Sequence, residues 1–187
     1  VPKKMFISAL NSGADCYMTD FEDSLTPTFD NLMQGQINIK QAIEKKIDFI
    51  EKESGKEYKL NQKTAVLIVR PRGLHLDEKN ITVKGERISG TFFDLCLALF
   101  NNAKKLLENG SGPYFYLPKL EHYLECRLLN DVISFCEKKL KLEVGSVKVT
   151  VLIETINAVF QMNEFLWELK DHAVGLNAGR WDYLFSY

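Results

Sequence analysis

The sequence predicts an α/β fold in which parallel β-strands alternate with α-helices. Runs of β-branched and apolar residues mark the strands, and these runs centre on Cys16, Leu67, Phe115, Val151 and Val174. Segments with helical periodicity separate the runs, as expected for parallel strands joined by helical crossovers. A charged residue follows each predicted strand: Asp20, Arg70, Lys119, Glu154 and Asp182. Because such strand ends carry the active site in α/β proteins, we expect these side chains to converge.

The composition is that of a globular protein, since 45% of the 187 residues are hydrophobic and 26% are charged. That length is sufficient for one domain with a sizeable core. The net charge of -1 gives no basic surplus, so we expect no nucleic-acid partner. No apolar run is long enough to span a membrane, so we expect no membrane partner. The four cysteines form no CxxC pair, which favours reduced thiols in an intracellular compartment.

The amino-terminal third of the chain predicts one strand between two helices. Residues 1–11 are typical of a short helix, and residues 15–19 are typical of a strand. Pro27 begins a second helix, whose hydrophobic residues recur with helical spacing as far as about Ser54. We expect residues 55–63 to form a polar connection.

The middle of the chain predicts two further strands, each followed by a helix. Residues 64–69, TAVLIV, form the clearest strand, and Pro71 ends it because proline cannot donate to a sheet. Residues 77–89 are polar and predict either a small hairpin or an irregular loop. A helix over 90–109, a strand over 114–117 and a helix over 120–139 follow.

The carboxyl-terminal part predicts a strand over 147–153, a helix over 156–169 and a strand over 173–177. The convergence of polar residues after every strand favours a TIM (β/α)8 barrel. A complete barrel of this kind takes about 250 residues and eight βα units. Since about five units are visible, residues 1–187 predict an incomplete TIM barrel that forms one catalytic domain.

Glu154 and Asp182 each follow one of the last two strands. Two carboxylates at neighbouring strand ends are able to share a hard divalent cation. The alternative is structural: Glu154 caps the next helix and Asp182 pairs with Arg180. The spacing alone leaves both interpretations open.

Arg70 follows the clearest strand directly, and a guanidinium there is suited to hold a carboxylate or to stabilise a developing oxyanion. An ion pair with Asp20 or Glu22 is the structural interpretation, and both can hold together. The acidic residues Asp20, Glu22 and Asp23 predict either a solvated loop or part of a cation site.

At this point several motifs together resemble the malate synthase family of the glyoxylate cycle. The motifs are DFEDSLTPTFDNLMQGQ, VRPRGLHL, GPYFYLPKLE, TVLIETINAVFQMNEFLWELKDHAVGLNAGRWDY and the final LFSY. They cover nearly the whole chain, and their combination is highly specific. The resemblance implies a TIM barrel that condenses acetyl-CoA with glyoxylate to give malate and CoA, with Mg²⁺ as the cofactor.

The resemblance also implies roles for individual residues. Glu154 in IETI and Asp182 in GRWD match the family's metal-binding carboxylates, and Arg70 in RPRG matches its catalytic arginine, which also contacts substrate. The residues that match the family's glyoxylate-binding loop are Gly179, Arg180, Trp181 and Asp182. Asp20 and Glu22 match acids that lie near the metal without binding it directly, and Ser24 matches a residue near acetyl-CoA.

One departure from the family pattern concerns the base that removes the methyl proton of acetyl-CoA. In the family this base is an aspartate of a later helical domain, and we expect that domain and that residue to lie beyond Tyr187. The chain alone is then expected to be inactive. Two other functions stay open, a TIM-barrel lyase of the malyl- or citramalyl-CoA type and a non-catalytic fragment. The resemblance implies a location in the glyoxysome or peroxisome, or in the cytoplasm.

Overall fold

The computed structural model describes residues 2–187, in which strands and helices alternate as predicted. The strands are β1 (Cys16–Asp20), β2 (Asp48–Ile50), β3 (Glu57–Lys59), β4 (Val66–Arg70), β5 (Asp77–Val83), β6 (Glu86–Ser89), β7 (Tyr114–Leu117), β8 (Lys148–Ile153) and β9 (Ala173–Ala178). The helices are α1 (Lys3–Leu10), α2 (Phe29–Ile43), α3 (Gly90–Glu108), α4 (Tyr123–Leu140), α5 (Ile156–Val159), α6 (Met162–Glu168) and α7 (Trp181–Ser186).

Five of the strands form one parallel sheet in the order β1-β4-β7-β8-β9. These are the five strands that the sequence predicts, and each follows its neighbour along the chain. The predicted α/β fold is therefore confirmed. Over residues 2–187 the sheet is open and does not close into a barrel, in agreement with the predicted incomplete barrel.

The core lies between this sheet and the helices that follow its strands. Helices α2, α3 and α4 each bury one apolar stripe, and fully buried members of these stripes are Leu32, Ile39, Leu95, Leu99, Leu129 and Ile133. Side-chain caps fix where these helices begin. The hydroxyls of Thr28 and Ser89 and the imidazole of His122 accept hydrogen bonds from the first turns of α2, α3 and α4. Within the described residues, no helix is long and apolar enough to cross a membrane.

The second helix is shorter than the sequence predicts. Helix α2 ends at Ile43, and Lys45 adopts a left-handed conformation with φ of 56°. The Lys46 amide then donates to Gln41 O, which closes the helix in a Schellman-type turn. The prediction that this helix continues to Ser54 was wrong. Ile47 has helical spacing in the sequence, but it is buried as part of the connection that follows α2. Residues predicted as the end of the helix and as a polar connection form the antiparallel pair β2–β3.

The helix predicted over 156–169 is divided into α5 and α6 at Phe160 and Gln161. The side chain of Gln161 accepts a hydrogen bond from the Tyr123 amide, and it donates to Glu121 O. At the break, Gln161 therefore fastens this segment to the beginning of α4. The helical periodicity of the segment does not reveal this contact.

The polar segment 77–89 forms the antiparallel hairpin β5–β6, one of the two predicted possibilities. A buried ion network fastens the hairpin to helix α3 and to the loop that follows β4. The Arg72 guanidinium contacts Asp94 in α3 at 2.9 Å through both Nε and Nη2, and its Nη1 lies 3.0 Å from Glu78 in β5. Arg72 is two residues beyond Arg70, so this network also fixes the loop that leaves β4.

The four cysteines are free thiols. Cys96 in α3 and Cys136 in α4 lie close together, with 3.7 Å between their sulfur atoms.

Candidate active site

The charged residues predicted at the strand ends lie along the carboxyl-terminal edge of the parallel sheet. Asp20 and Arg70 are the last residues of the neighbouring strands β1 and β4, and they pair in register. Glu154 directly follows β8, Lys119 comes two residues after β7, and Asp182 lies in the first turn of α7, after β9. The sheet topology thus brings residues separated by up to 162 positions to one edge.

Arg70 and Asp20 form a bidentate ion pair. Arg70 Nε lies 2.7 Å from Asp20 Oδ1, and Arg70 Nη2 lies 2.6 Å from Asp20 Oδ2. The Asp20 carboxylate also accepts hydrogen bonds from the amides of Glu22 and Ser24, at 2.9 and 3.0 Å. Burial acts to raise the pKa of Asp20, but Arg70 and these amides outweigh it and lower that pKa.

Glu22 lies between the two cations of the site. Its Oε1 is 2.8 Å from Lys119 Nζ, and its Oε2 is 3.4 Å from Arg70 Nη1. The side chain is 3% exposed, yet Oε2 accepts no hydrogen bond from the described residues. Burial raises the pKa of Glu22, and the charge of Lys119 opposes that shift. Asp23 lies at the solvent side of the same group and is half exposed.

The carboxyl groups of Glu154 and Asp182 lie beside the same cation, Lys119, and each affects the pKa of the other. Glu154 also accepts a hydrogen bond of 2.6 Å from the Lys119 amide. Burial raises the pKa of Glu154 to about 7; the Lys119 amide opposes this shift and Asp182 adds to it. Burial acts to raise the pKa of Asp182, but Glu154 and Lys119 outweigh it and lower that pKa. The pKa values of the two carboxyl groups thus shift in opposite directions, with the raised pKa on Glu154.

The structural alternatives for these two acids differ from the observed contacts. Thr155 caps helix α5 through its hydroxyl, which accepts from the Ala158 amide, so Glu154 is not the cap. The cation beside Asp182 is Lys119, whose Nζ lies 3.1 Å from Asp182 Oδ1. Arg180 instead lies over the ring of Trp181, with 5.3 Å from the guanidinium carbon to the ring centroid.

Gly179 brings the end of β9 against Glu154. Its amide donates to Ile153 O at 2.8 Å. A Cβ atom on Gly179 would lie 2.5 Å from the Cβ atom of Glu154, a distance that real Cβ atoms do not adopt. Glycine at this position therefore allows the GRWD segment to approach the carboxylate pair. Trp181, in contrast, is 65% exposed.

The donor set fits a divalent cation, although residues 2–187 contain no group of three or more His, Cys, Asp or Glu side chains arranged to hold a metal. Mg²⁺ takes only one or two protein carboxylates and fills its octahedron with water and substrate. Glu154 and Asp182 are the two carboxylates that follow the last two strands at this edge, and both face the Lys119 ammonium. Glu22 Oε2, which accepts no hydrogen bond from the described residues, is a further buried acceptor in this group.

Sequence reasoning placed Lys119 at a strand end but gave it no role, and it assigned nothing to Arg72. Lys119 contacts four carboxylates of the site, and Arg72 anchors the loop that carries Arg70. The signal for Lys119 was its position at the end of a strand, which it shares with Asp20, Arg70 and Glu154. For Arg72 the sequence holds no such signal, because its partner Asp94 lies 22 residues away in the interior of a helical stretch.

Comparisons with known proteins agree with this architecture. The family model described as "Malate synthase, TIM barrel domain" matches residues 66–187. The chain is 52% identical to a malate synthase of Myxococcus xanthus and 53% identical to a glyoxysomal malate synthase of Brassica napus, over its whole length in both cases. It spans only 34% of each of these relatives.

Among solved structures, malate synthase from Haloferax volcanii superposes with a TM-score of 0.61 at 14% identity, covering 96% of this chain and 46% of that one. RipC from Yersinia pestis superposes with a TM-score of 0.51 at 20% identity, covering 93% of this chain and 56% of that one. At these identities the superpositions show the fold alone. The family match over more than half of the sequence shows that this chain belongs to the malate synthase family, as part of its TIM-barrel domain.

Proposed function

We propose that the protein to which this chain belongs condenses acetyl-CoA with glyoxylate and water to give malate and CoA, as a Mg²⁺-dependent acyltransferase of the glyoxylate cycle. The observation that carries the proposal is the Glu154–Asp182 carboxylate pair at the sheet edge that also bears Arg70. The family to which the chain belongs supports the same reaction.

Arg70 is the proposed catalytic residue. Removing a methyl proton from acetyl-CoA creates an enolate, and a fixed cation beside its oxygen lowers the barrier. Asp20 holds the Nε and Nη2 atoms of Arg70, which orients the guanidinium before substrate arrives. The Nη1 edge, which faces Glu22 and Asp23 at 3.4 and 3.5 Å, is left to meet the substrate oxygen. The proton acceptor is proposed to be the aspartate of the family's later helical domain, outside residues 1–187.

Glu154 and Asp182 are the residues that would hold Mg²⁺, and Asp20 and Glu22 would lie near it without binding it directly. When bound, Mg²⁺ would supply Lewis acidity at the glyoxylate aldehyde. Gly179 allows the GRWD segment to pack against Glu154, so the backbone from Gly179 through Arg180 and Trp181 is the proposed wall of the glyoxylate site. Ser24, whose amide is held by Asp20, is the proposed contact to acetyl-CoA. The names of the plant relatives favour the glyoxysome or peroxisome, with the cytoplasm as the alternative.

The test uses the full-length protein, purified with its native termini and freed of metal. We expect thiol release from acetyl-CoA only when glyoxylate and Mg²⁺ are both present, with malate as the second product. Acetyl-CoA alone with Mg²⁺ controls for simple hydrolysis. Cleavage of malyl-CoA or citramalyl-CoA in place of condensation would identify the lyase alternative. No turnover of any of these substrates by folded, metal-loaded protein would favour the non-catalytic alternative.

A further inference from the structure

Lys119 has a backbone conformation that its neighbours in the sequence do not explain. Its φ is 57°, in the left-handed region that disfavours residues other than glycine. The other non-glycine residues with positive φ in residues 2–187 follow helix ends or lie in a hairpin turn: Lys45, Lys84 and Lys141. Lys119 instead belongs to the connection from β7 to α4. A strained backbone at such a position suggests that its side chain has a use.

The ammonium group of Lys119 lies among the carboxylates of the proposed metal site. Its Nζ is 2.8 Å from Glu22 Oε1, 3.1 Å from Asp182 Oδ1, 3.6 Å from the half-exposed Asp23 Oδ1 and 3.8 Å from Glu154 Oε2. The side chain is 21% exposed, and Nζ itself is buried without a well-aligned hydrogen bond in the described residues. Lys119 is thus held by charge more than by directed hydrogen bonds.

The charges around Lys119 leave an excess of negative charge that a divalent ion would reduce. Glu22, Asp23, Glu154 and Asp182 carry four negative charges when ionised, and Lys119 carries one positive charge. Asp20 is matched by Arg70 and does not enter this sum. This excess of negative charge suits a divalent ion such as Mg²⁺, while the ammonium keeps the acids together when no metal is present.

We propose that Lys119 is a positioning residue that serves as the counter-cation of the metal-free site and thereby limits its affinity for the divalent ion. This inference rests on the proposed metal-dependent function. Without the ammonium, Glu22, Glu154 and Asp182 repel one another more strongly, so the metal-free protein is less stable. The same loss removes a positive charge that repels the incoming ion, so the ion binds more tightly.

Loss of the ammonium is thus expected to lower stability and to raise the affinity for the ion. These opposite effects distinguish the proposed role from a purely structural one. A lysine that only supported the fold would lower both stability and metal affinity when replaced. Lys119→Met is a suitable variant because methionine is unbranched, keeps most of the side-chain length and removes the charge. The Lys119 amide, which holds Glu154 at 2.6 Å, is unchanged by the substitution. Lys119→Arg keeps the charge, and Lys105→Met removes a lysine from an exposed pair on α3.

The experiment measures Mg²⁺ binding by titration calorimetry on metal-free, full-length protein, and the melting temperature with and without Mg²⁺. We expect Lys119→Met to bind Mg²⁺ at least tenfold more tightly than the wild type and to melt lower without metal. Saturating Mg²⁺ should recover most of that difference by linkage. Lys119→Arg and Lys105→Met should bind Mg²⁺ as the wild type does.

Several results would overturn the inference. Equal or weaker Mg²⁺ binding by folded Lys119→Met would do so while leaving the proposed function intact. A variant that stays unfolded in saturating Mg²⁺ would also count against it, because the ion should then replace the ammonium. Absence of Mg²⁺ binding by the wild type would overturn the proposed metal dependence, and this inference with it.

Discussion

Asp20 and Arg70 pair in register as the last residues of neighbouring parallel strands, and their side chains form two hydrogen bonds of 2.6 and 2.7 Å. The register places the two Cα atoms side by side, so the carboxylate meets the planar fork of the guanidinium without distortion. The pair leaves Arg70 fixed in direction as well as in charge, which is the condition for stabilising charge that develops during a reaction.

Replacing Arg70 by lysine should therefore lower turnover much more than substrate affinity. Lysine keeps the charge but cannot form the bidentate contact with Asp20. Loss of one preorganised oxyanion donor costs on the order of 10²–10³-fold in turnover. Steady-state kinetics of the full-length protein would measure this. The matched control is Arg72→Lys, which should lower stability while the folded fraction keeps its turnover. Wild-type turnover in Arg70→Lys together with a loss in Arg72→Lys would show that the catalytic arginine is misassigned.

Glu154→Gln and Asp182→Asn should each weaken the binding of Mg²⁺ and glyoxylate together. Removal of a direct carboxylate ligand should exceed the ~10–100-fold loss that follows removal of a supporting contact. Acetyl-CoA binding should change little, since that ligand does not need the ion. Calorimetric titration of each ligand, with and without Mg²⁺, would test this. Glu164→Gln removes an exposed acid of α6 and serves as the control. Unchanged Mg²⁺ binding in both site variants would contradict the shared site.

Gly179→Ala should disturb the site because the new Cβ atom would lie 2.5 Å from the Cβ atom of Glu154. Both atoms are close to the backbone, so the strand end or Glu154 has to move. We expect a loss of ~1–3 kcal/mol in the free energy of unfolding, the usual cost of forced overpacking, and weaker Mg²⁺ binding. Gly175→Ala, in β9 itself, places its Cβ atom in open space and is the matched control. Equal melting temperatures and Mg²⁺ affinities for the two variants would refute the close approach.

The affinity for Mg²⁺ should depend on pH through Glu154, whose pKa is raised to about 7 by burial and by Asp182. The ion binds the ionised carboxylates, so below that pKa it must displace a proton. The affinity should then rise ~tenfold per pH unit up to about pH 7 and level off above it, as expected for one released proton. Calorimetry at pH 5.5–8.5 in buffers of different ionisation enthalpy, ~3 pH units spanning the transition, would count that proton. A flat profile across this range would mean that the pair is already ionised before the metal binds.

Asp94→Ala should be strongly destabilising because it leaves the Arg72 guanidinium buried without its bidentate partner. Breaking a buried pair by removing one partner typically costs ~3–5 kcal/mol. The exposed pair Lys105–Glu108 on the same helix offers the control, since Glu108→Ala should change the melting temperature little. Urea denaturation of the two variants beside the wild type would measure the difference. Similar midpoints would show that the buried network contributes little to stability.

The sequence by itself determined the α/β class, the five parallel strands and the residues that follow them. Strand and helix periods are local properties, and a charged residue after each strand is read directly from the order of residues. The tertiary structure decided the features that the helical or strand periodicity of a single segment cannot specify. The end of α2 was set by the left-handed Lys45, and the division of the last predicted helix was set by the contacts of Gln161.

The contacts of the site also depended on the tertiary structure, because its members come from different strands. The bidentate Asp20–Arg70 pair follows from strand register, and the raised pKa of Glu154 follows from its burial beside Asp182. Lys119 acquires its place among four carboxylates only when the sheet brings the ends of β1, β7, β8 and β9 to one edge. The physical reason is that charge interactions fall with distance in space, and the fold alone brings residues 22, 119, 154 and 182 within a few ångströms of one another.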